Sequence, residues 1–220
     1  MRFEAVLFDC DGVLVDSEPI TNGVLREMLH ELGWELSVGE CMRLFVGKAL
    51  KDEVAIIEER TGKTVPDSWI AQFQERRNTA LRERLTAIPD IHAAVEEIHA
   101  RLHGNIACAS GADRFKVEMQ LRHVGLMPYF EGRIFSGYET PRSKPFPDVY
   151  LAAAAALKVD PRNCAVVEDT VTGATAGVAA GATVFGYSPD EMGHDPPAAL
   201  RAAGVVEVFA SMRSLPGLLA

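Results

Sequence analysis

The feature that most constrains this 220-residue chain lies near its start, in the stretch FEAVLFDCDGVLVDS over residues 3–17. Ala5, Val6, Leu7 and Phe8 form an apolar run too short for a helix and suited to a strand buried on both faces. Asp9 and Asp11 follow at its carboxyl end, flanking Cys10, with Gly12 directly after. Asp and Gly are ordinary turn formers, so the pair taken alone fits a plain turn as well as a site. In an open parallel sheet, however, ligands bind at the carboxyl edge. Two carboxylates a few Å apart repel by about 1 to 4 kcal/mol, according to the local dielectric. A site built on them needs a proton or a divalent cation.

Residues 18–85 are charged and helical, with few strand signals. Pro19 suits the first turn of a helix, and Ile20, Val24, Leu25, Met28, Leu29 and Leu32 recur at helical spacing until Gly33 stops it. A second helix is expected from near Lys51, burying Val54, Ile56 and Ile57, and a third over 68–85. One crossover between parallel strands needs a single helix, whereas roughly 70 residues are enough for a small helical bundle.

From Pro89 strands and helices alternate. Helices are expected at 91–102, 113–124 and 148–157. Strands are expected at 105–109, ending at Ser110-Gly111, at 133–136, and at 164–167, ending at Glu168-Asp169. Gly173, Gly177 and Gly181 then share one helical face, which allows close packing on a sheet, and strands at 182–185 and 205–209 complete the set. This order predicts an α/β fold: a doubly wound, Rossmann-like parallel sheet core, with an inserted helical bundle. The expected boundaries are 1–16 and 87–220 for the core and 17–86 for the insert. No GxGxxG follows the first strand, which disfavours a dinucleotide-binding enzyme.

Composition narrows the partners. There are 31 acidic against 22 basic residues, a net charge of −9, and no basic run, which disfavours nucleic acid. Cys10, Cys41, Cys108 and Cys164 show neither CxxC nor metal-ligand spacing and read as buried free thiols of a reducing cytoplasm. The first strand begins at Phe3, leaving no room for a signal peptide, and no apolar run approaches the ~20 residues that span a bilayer. A cytoplasmic monomer acting on a small molecule, with no membrane or nucleic-acid partner, is expected.

A parallel sheet would bring Asp9, Asp11, Ser110, Gly111, Glu168 and Asp169 to one edge, joined by Lys144 from the loop before a helix. Each has a plain alternative reading as a turn, an N-cap or a solvated lysine. Their joint order favours a site.

In these motifs the chain resembles the haloacid dehalogenase superfamily of phosphatases and phosphomutases, in the branch with a helical cap inserted after the first motif. DCDGVLVDS, ASG, SKPFPD and VEDTVTG stand in the order of its four motifs. The resemblance implies hydrolysis of a phosphate monoester with Asp9 as nucleophile, forming an aspartyl-phosphate, and Asp11 as general acid and base. It implies Mg²⁺ held by the Asp9 carboxylate, the Asp11 backbone carbonyl, Glu168 and Asp169. Ser110, the backbone N–H of Gly111 and Lys144 would hold the phosphate oxygens. Asp11 is then expected to have a raised pKa when substrate is bound, and an acid at that position disfavours dehalogenation.

The resemblance also makes 17–86 a cap hinged near Ser17 and Ala87. Gly47, Lys48, Lys51, Arg76 and Arg77 are its candidates for touching substrate. Relatives of the beta-phosphoglucomutase type carry a histidine and an arginine where this chain has Thr21 and Leu50, so hydrolysis is favoured over the mutase alternative. A non-catalytic binding protein is disfavoured because every motif carboxylate and Lys144 is intact. Residues 134–181 look like bacterial phosphatases of this branch acting on 6-phosphogluconate and similar sugar phosphates, which implies a small phosphorylated sugar or sugar acid as substrate.

Overall fold

Six parallel strands form one sheet in the order β3-β2-β1-β4-β5-β6 in the computed structural model, which describes residues 2–48, 50–189 and 194–220. The strands are β1 (Ala5–Phe8), β2 (Ile106–Ser110), β3 (Ile134–Ser136), β4 (Cys164–Glu168), β5 (Thr183–Tyr187) and β6 (Glu207–Phe209). Winding runs outward from β1 to β3, then returns to the other side of β1 at β4. The reversal between β1 and β4 is the point at which open α/β sheets bind ligands. The expected fold class is therefore the observed one.

Along β1 the side chains alternate between two apolar layers. Val6 and Phe8 join the layer of α5 (Ile91–Arg101) and α6 (Arg114–His123), while Ala5 and Leu7 join that of α8 (Asp148–Leu157) and α9 (Val171–Ala179). A strand covered on both faces has no polar side to spare, which is why it reads as an unbroken apolar run. α9 lies close on the sheet because Gly177 leaves room. A Cβ there would stand 2.8 Å from Val184 and 3.1 Å from Val166. Gly181 does not share that face; it follows the end of the helix, with φ +88°.

Between β1 and α5 the chain forms four helices: α1 (Glu18–Glu31), α2 (Val38–Phe45), α3 (Val54–Thr61) and α4 (Asp67–Arg84). They share an apolar core of their own, with Leu25, Met28, Leu29, Cys41, Phe45, Ile57 and Phe73 among its members. α2 was not expected. Its start is a capping box, in which Ser37 accepts from the Glu40 N–H and the Glu40 carboxylate accepts from the Ser37 N–H. Lys51 lies in a short 3₁₀ turn, Leu50–Asp52, ahead of α3, which buries Ile57 fully and Val54 and Ile56 in part.

The two chain crossings into this helical unit are paired. Val15 bridges Ala87, the Asp16 N–H donates to Thr86 at 2.9 Å, and the Ile88 N–H donates to Leu14 at 3.2 Å. Short helices α7 (Met127–Phe130), α10 (Pro197–Ala202) and α11 (Leu215–Leu218) complete the chain. No described helix is long and apolar enough to cross a membrane.

Candidate active site

The site begins where β1 stops. Phe8 pairs with Val167 in β4, which sets Asp9 level with Glu168, and the Asp9 N–H donates to Val167 at 3.0 Å. The chain then turns at Gly12, whose φ of +76° places it in the left-handed region. A Cβ on Gly12 would stand 2.1 Å from Asp169 Oδ2, so the glycine lets the two strand ends meet.

Lys144 comes from the loop before α8 and is buried against both ends, 2.7 Å from Asp9 Oδ1 and 2.6 Å from Glu168 Oε1. Burial opposes its charge, but Asp9 and Glu168 hold its pKa well above the usual lysine range. Burial, with Glu168 and Asp11 near, pushes Asp9 up to about 7 despite Lys144.

The adjacent acids Glu168 and Asp169 have opposite surroundings. Glu168 Oε1 accepts from Lys144 and from the Tyr150 hydroxyl at 2.8 Å, while Oε2 accepts from the Asp169 N–H, the Thr170 N–H and the Thr170 hydroxyl. Although burial raises its pKa, these donors bring it below the ordinary value. Asp169 is equally buried and neither of its carboxylate oxygens has a hydrogen-bond partner. Burial, then the charges of Glu168 and Asp9, drive its pKa well above the carboxylate range.

A buried carboxylate without donors is costly, and here it sits with two others. Ligand oxygens of Asp9, Glu168 and Asp169 lie within 4.8 Å of one another. An all-oxygen set of this kind fits a hard divalent cation. Asp169 is the member with both oxygens open to such a cation; those of Glu168 are already engaged.

Asp11 has a cation of its own. Burial would raise its pKa, yet the Lys116 ammonium and hydrogen bonds from Lys116, Ser17 and Gln120 lower it to about 2. Lys116 Nζ is 2.8 Å and Gln120 Nε2 2.9 Å from Asp11 Oδ1, and the Ser17 hydroxyl donates to the same atom. The sequence reading put the raised pKa on Asp11 in the substrate complex. That expectation concerns the complex; within the protein alone Asp9 is the raised carboxyl of the two, because α6 delivers a cation to Asp11.

One cavity of about 510 Å³ joins these groups to the helical unit. Asp9, Asp11, Lys144, Ser110, Gly111 and Glu168 line it from the sheet, and Gly47, Lys48, Lys51 and Arg77 from the helices. Asp169 lies behind Gly12. The helical candidates are held by partners of their own: Lys48 by Glu53 at 3.3 Å, Lys51 over the Tyr138 ring at 4.4 Å, and Arg77 by Asp113 at 3.3 Å. Gly47 abuts Thr170, which a Cβ would approach to 3.2 Å. Arg76 is the exception, pairing with Glu31 at 2.6 Å on an exposed surface outside the cavity lining.

A sequence profile described as haloacid dehalogenase-like hydrolase matches residues 3–181. The chain belongs to that family. Among relatives of this hydrolase, the 6-phosphogluconate phosphatase of Escherichia coli K12 is 33% identical over 190 residues, covering 86% of this chain and 84% of that protein. The fructose-1-phosphate phosphatase YqaB of the same organism is 28% identical over 180 residues, covering 82% and 94%. A solved structure of a HAD family hydrolase from Deinococcus radiodurans R1, with bound phosphate and sodium, superposes with a TM-score of 0.80 at 34% identity, covering 100% of this chain and 96% of that one. Family membership and these relatives support the class of phosphoric monoester hydrolase.

Sequence reasoning missed Lys116, Gln120 and Tyr150. The signal for the first two was present: they stand four apart in α6, on the same face as the buried Val117 and Leu121. It also missed Glu18 as part of the site. Glu18 lines the cavity, accepts from Asn22 at 3.2 Å and is pushed up to about 7 by burial and by the charge of Asp11.

Gly173 has a testable role. Alanine in place of glycine within a helix ordinarily stabilises by roughly 0.5–1 kcal/mol. A Cβ on Gly173 would stand 1.7 Å from Glu168 Oε1, where five donors fix the carboxylate. Gly173→Ala is therefore expected to destabilise by about 1–3 kcal/mol and to slow turnover by displacing Glu168 from Lys144. Denaturant melts and phosphate-release assays measure the two effects.

Proposed function

We propose that this hydrolase is a Mg²⁺-dependent phosphatase of a small phosphorylated sugar or sugar acid, of the 6-phosphogluconate type. The observation that carries this reading is Asp9 beside Lys144 at 2.7 Å, with Asp11 two residues on, both acids lining one cavity. Asp9 attacks the phosphorus in line and forms an aspartyl-phosphate as the P–O bond to the leaving alcohol breaks. The negative charge of the bound phosphate pushes Asp11 back toward its protonated form; Asp11 gives the alcohol that proton, then takes one from the water that attacks the phospho-enzyme and releases Asp9. Lys144, the Ser110 hydroxyl and the N–H of Gly111 hold the equatorial oxygens, where charge neutralisation matters most.

Asp9, Asp169 and the Asp11 backbone carbonyl, with Glu168 beside them, would hold the cation. When bound it offsets the charge of the carboxylates and of the phosphate oxygens. Residues 17–86 serve as the cap over the site in this reading, with the core in 1–16 and 87–220. Four buried free cysteines suit a reducing cytoplasm.

The names of the relatives support the substrate class. The cavity wall disfavours the mutase alternative: Thr21 and Leu50 line it at the places where that alternative needs cationic anchors. Phosphate release across sugar phosphates, sugar acid phosphates and glycolytic intermediates, with Mg²⁺, tests the proposal. Release from a few phosphorylated sugars or sugar acids, lost on chelation, is the expected result. Isomerised product accumulating from a hexose 1-phosphate without phosphate release would overturn it in favour of the mutase.

A further inference from the structure

Three donors converge on one oxygen of Asp11, and two of them come from a helix outside the four sequence motifs. Lys116 is 95% buried, a placement lysine seldom takes without a specific partner. Its ammonium lies 2.8 Å from Asp11 Oδ1, and Gln120, fully buried one helical turn on, donates to the same oxygen at 2.9 Å. The Gln120 amide is itself oriented, since its Oε1 accepts from the Cys10 thiol at 3.6 Å. The Lys116 turn is pinned as well: its N–H donates to Asp113 Oδ1 at 2.9 Å, while Asp113 Oδ2 meets Arg77 from α4.

None of these contacts falls on Asp11 Oδ2. A carboxylate pinned by one oxygen has lost its rotational freedom and offers the other in a fixed direction. Proton transfer depends on such orientation as much as on basicity.

We propose that Lys116, supported by Gln120, is the positioning residue of the acid–base step, fixing Asp11 through Oδ1 so that Oδ2 handles the proton. This rests on the phosphatase reading above. In the complex the charge of the phosphate opposes that of Lys116 and favours the protonated carboxyl; Oδ2–H then passes its proton to the leaving oxygen as that oxygen takes the electron pair of the breaking P–O bond. Oδ2 later receives a proton from the water whose oxygen bonds to phosphorus while Asp9 departs.

The test uses the dependence on leaving group. For an alkyl phosphate the alcohol leaves only when protonated, whereas p-nitrophenolate leaves without help. Because kcat/KM reports the steps up to departure of the alcohol, Lys116→Met should lower kcat/KM for a sugar phosphate by about 10–100-fold and leave it for p-nitrophenyl phosphate within about threefold. With the nitrophenyl ester the water step should become limiting and give a burst of one nitrophenolate per enzyme. Lys116→Arg should keep the wild-type pattern, and in an Asp11→Asn background Lys116→Met should cost nothing further.

If Lys116→Met does not fold, Gln120→Met carries the same comparison at a similar side-chain volume. Equal losses for both esters, a raised KM with unchanged kcat, or full additivity with Asp11→Asn would overturn the proposal while leaving the phosphatase reading intact. A wild-type protein that hydrolyses neither ester overturns both.

Discussion

Asp9→Asn is expected to lower phosphate release by about 10⁴-fold or more, the scale seen when a covalent nucleophile is removed, while the protein stays folded. The fold is not at risk because the position is isosteric and Asp9 is a strained member of its cluster. Burial and the charges of Glu168 and Asp11 already hold its pKa near 7. An amide there removes one of the repelling charges and keeps an oxygen that can accept from Lys144. Thermal melts without divalent cation should therefore show Asn at this position no less stable than Asp at pH 8. Single-turnover assays should show no phospho-enzyme. Substantial residual turnover would move the nucleophile elsewhere, and a collapsed melting curve would make Asp9 a structural residue.

The second large effect concerns the cation and has a sign that can be worked out. Burial pushes Asp9 up to about 7 in the folded protein, against about 3.9 in an unfolded chain, and Asp169 is shifted in the same direction. An acid with a raised folded-state pKa binds more protons when folded than when unfolded, so stability falls as pH rises. For Asp9 the loss runs from about pH 4 to about pH 7 and is complete above that window. Asp11 works in the opposite sense. Its pKa is lowered to about 2, so its contribution is present above pH 3.8 and is lost as pH falls toward 2.

Adding Mg²⁺ should reverse the loss caused by Asp9 and Asp169. At a hundredfold excess over Kd the linkage is worth about 2.7 kcal/mol, or a rise of roughly 5–10 °C in Tm for a chain of this size. The rise should be larger at pH 8 than at pH 6, where protons compete for the same oxygens. Asp169→Asn should abolish it. A shift that does not depend on pH, or that survives Asp169→Asn, would place the cation elsewhere.

Both effects concern residues that were legible in the sequence, for a physical reason. A strand buried on both faces must be a continuous apolar run, so polar residues at its end stand out: Asp9 after β1, Ser110 at the end of β2, Glu168 at the end of β4 and Asp169 after it. A parallel sheet then gathers them at one edge. The roles within the Glu168-Asp169 pair were not legible. Successive residues of a strand point to opposite sides, and only the packed structure shows that one acid meets Lys144 and Tyr150 while the other meets no donor.

Lys116 and Gln120 were passed over for another reason, although their spacing beside Val117 and Leu121 marks a buried face. A lysine and a glutamine in a charged helix read as solvated until the neighbour beneath them is known, and that neighbour lies 105 residues away in sequence from Lys116. α2 was overlooked despite its Ser37–Glu40 capping box, because its eight residues give little periodicity to read. The partners of Lys51 and Arg77, Tyr138 and Asp113, depend on how the helical unit lies on the sheet, which no local pattern encodes.

The paired crossings at Val15–Ala87, Asp16–Thr86 and Leu14–Ile88 have a mechanical meaning. Two loose tethers would let the helical unit tumble and meet the sheet edge in many attitudes. Here the two crossings are bonded to each other, so the helical unit joins the sheet through one short two-stranded ribbon. With that ribbon in place, Gly47 lies against Thr170, Lys51 over Tyr138 and Arg77 beside Asp113. The cavity bounded by these contacts, about 510 Å³, sets a ceiling on the size of what the site can admit.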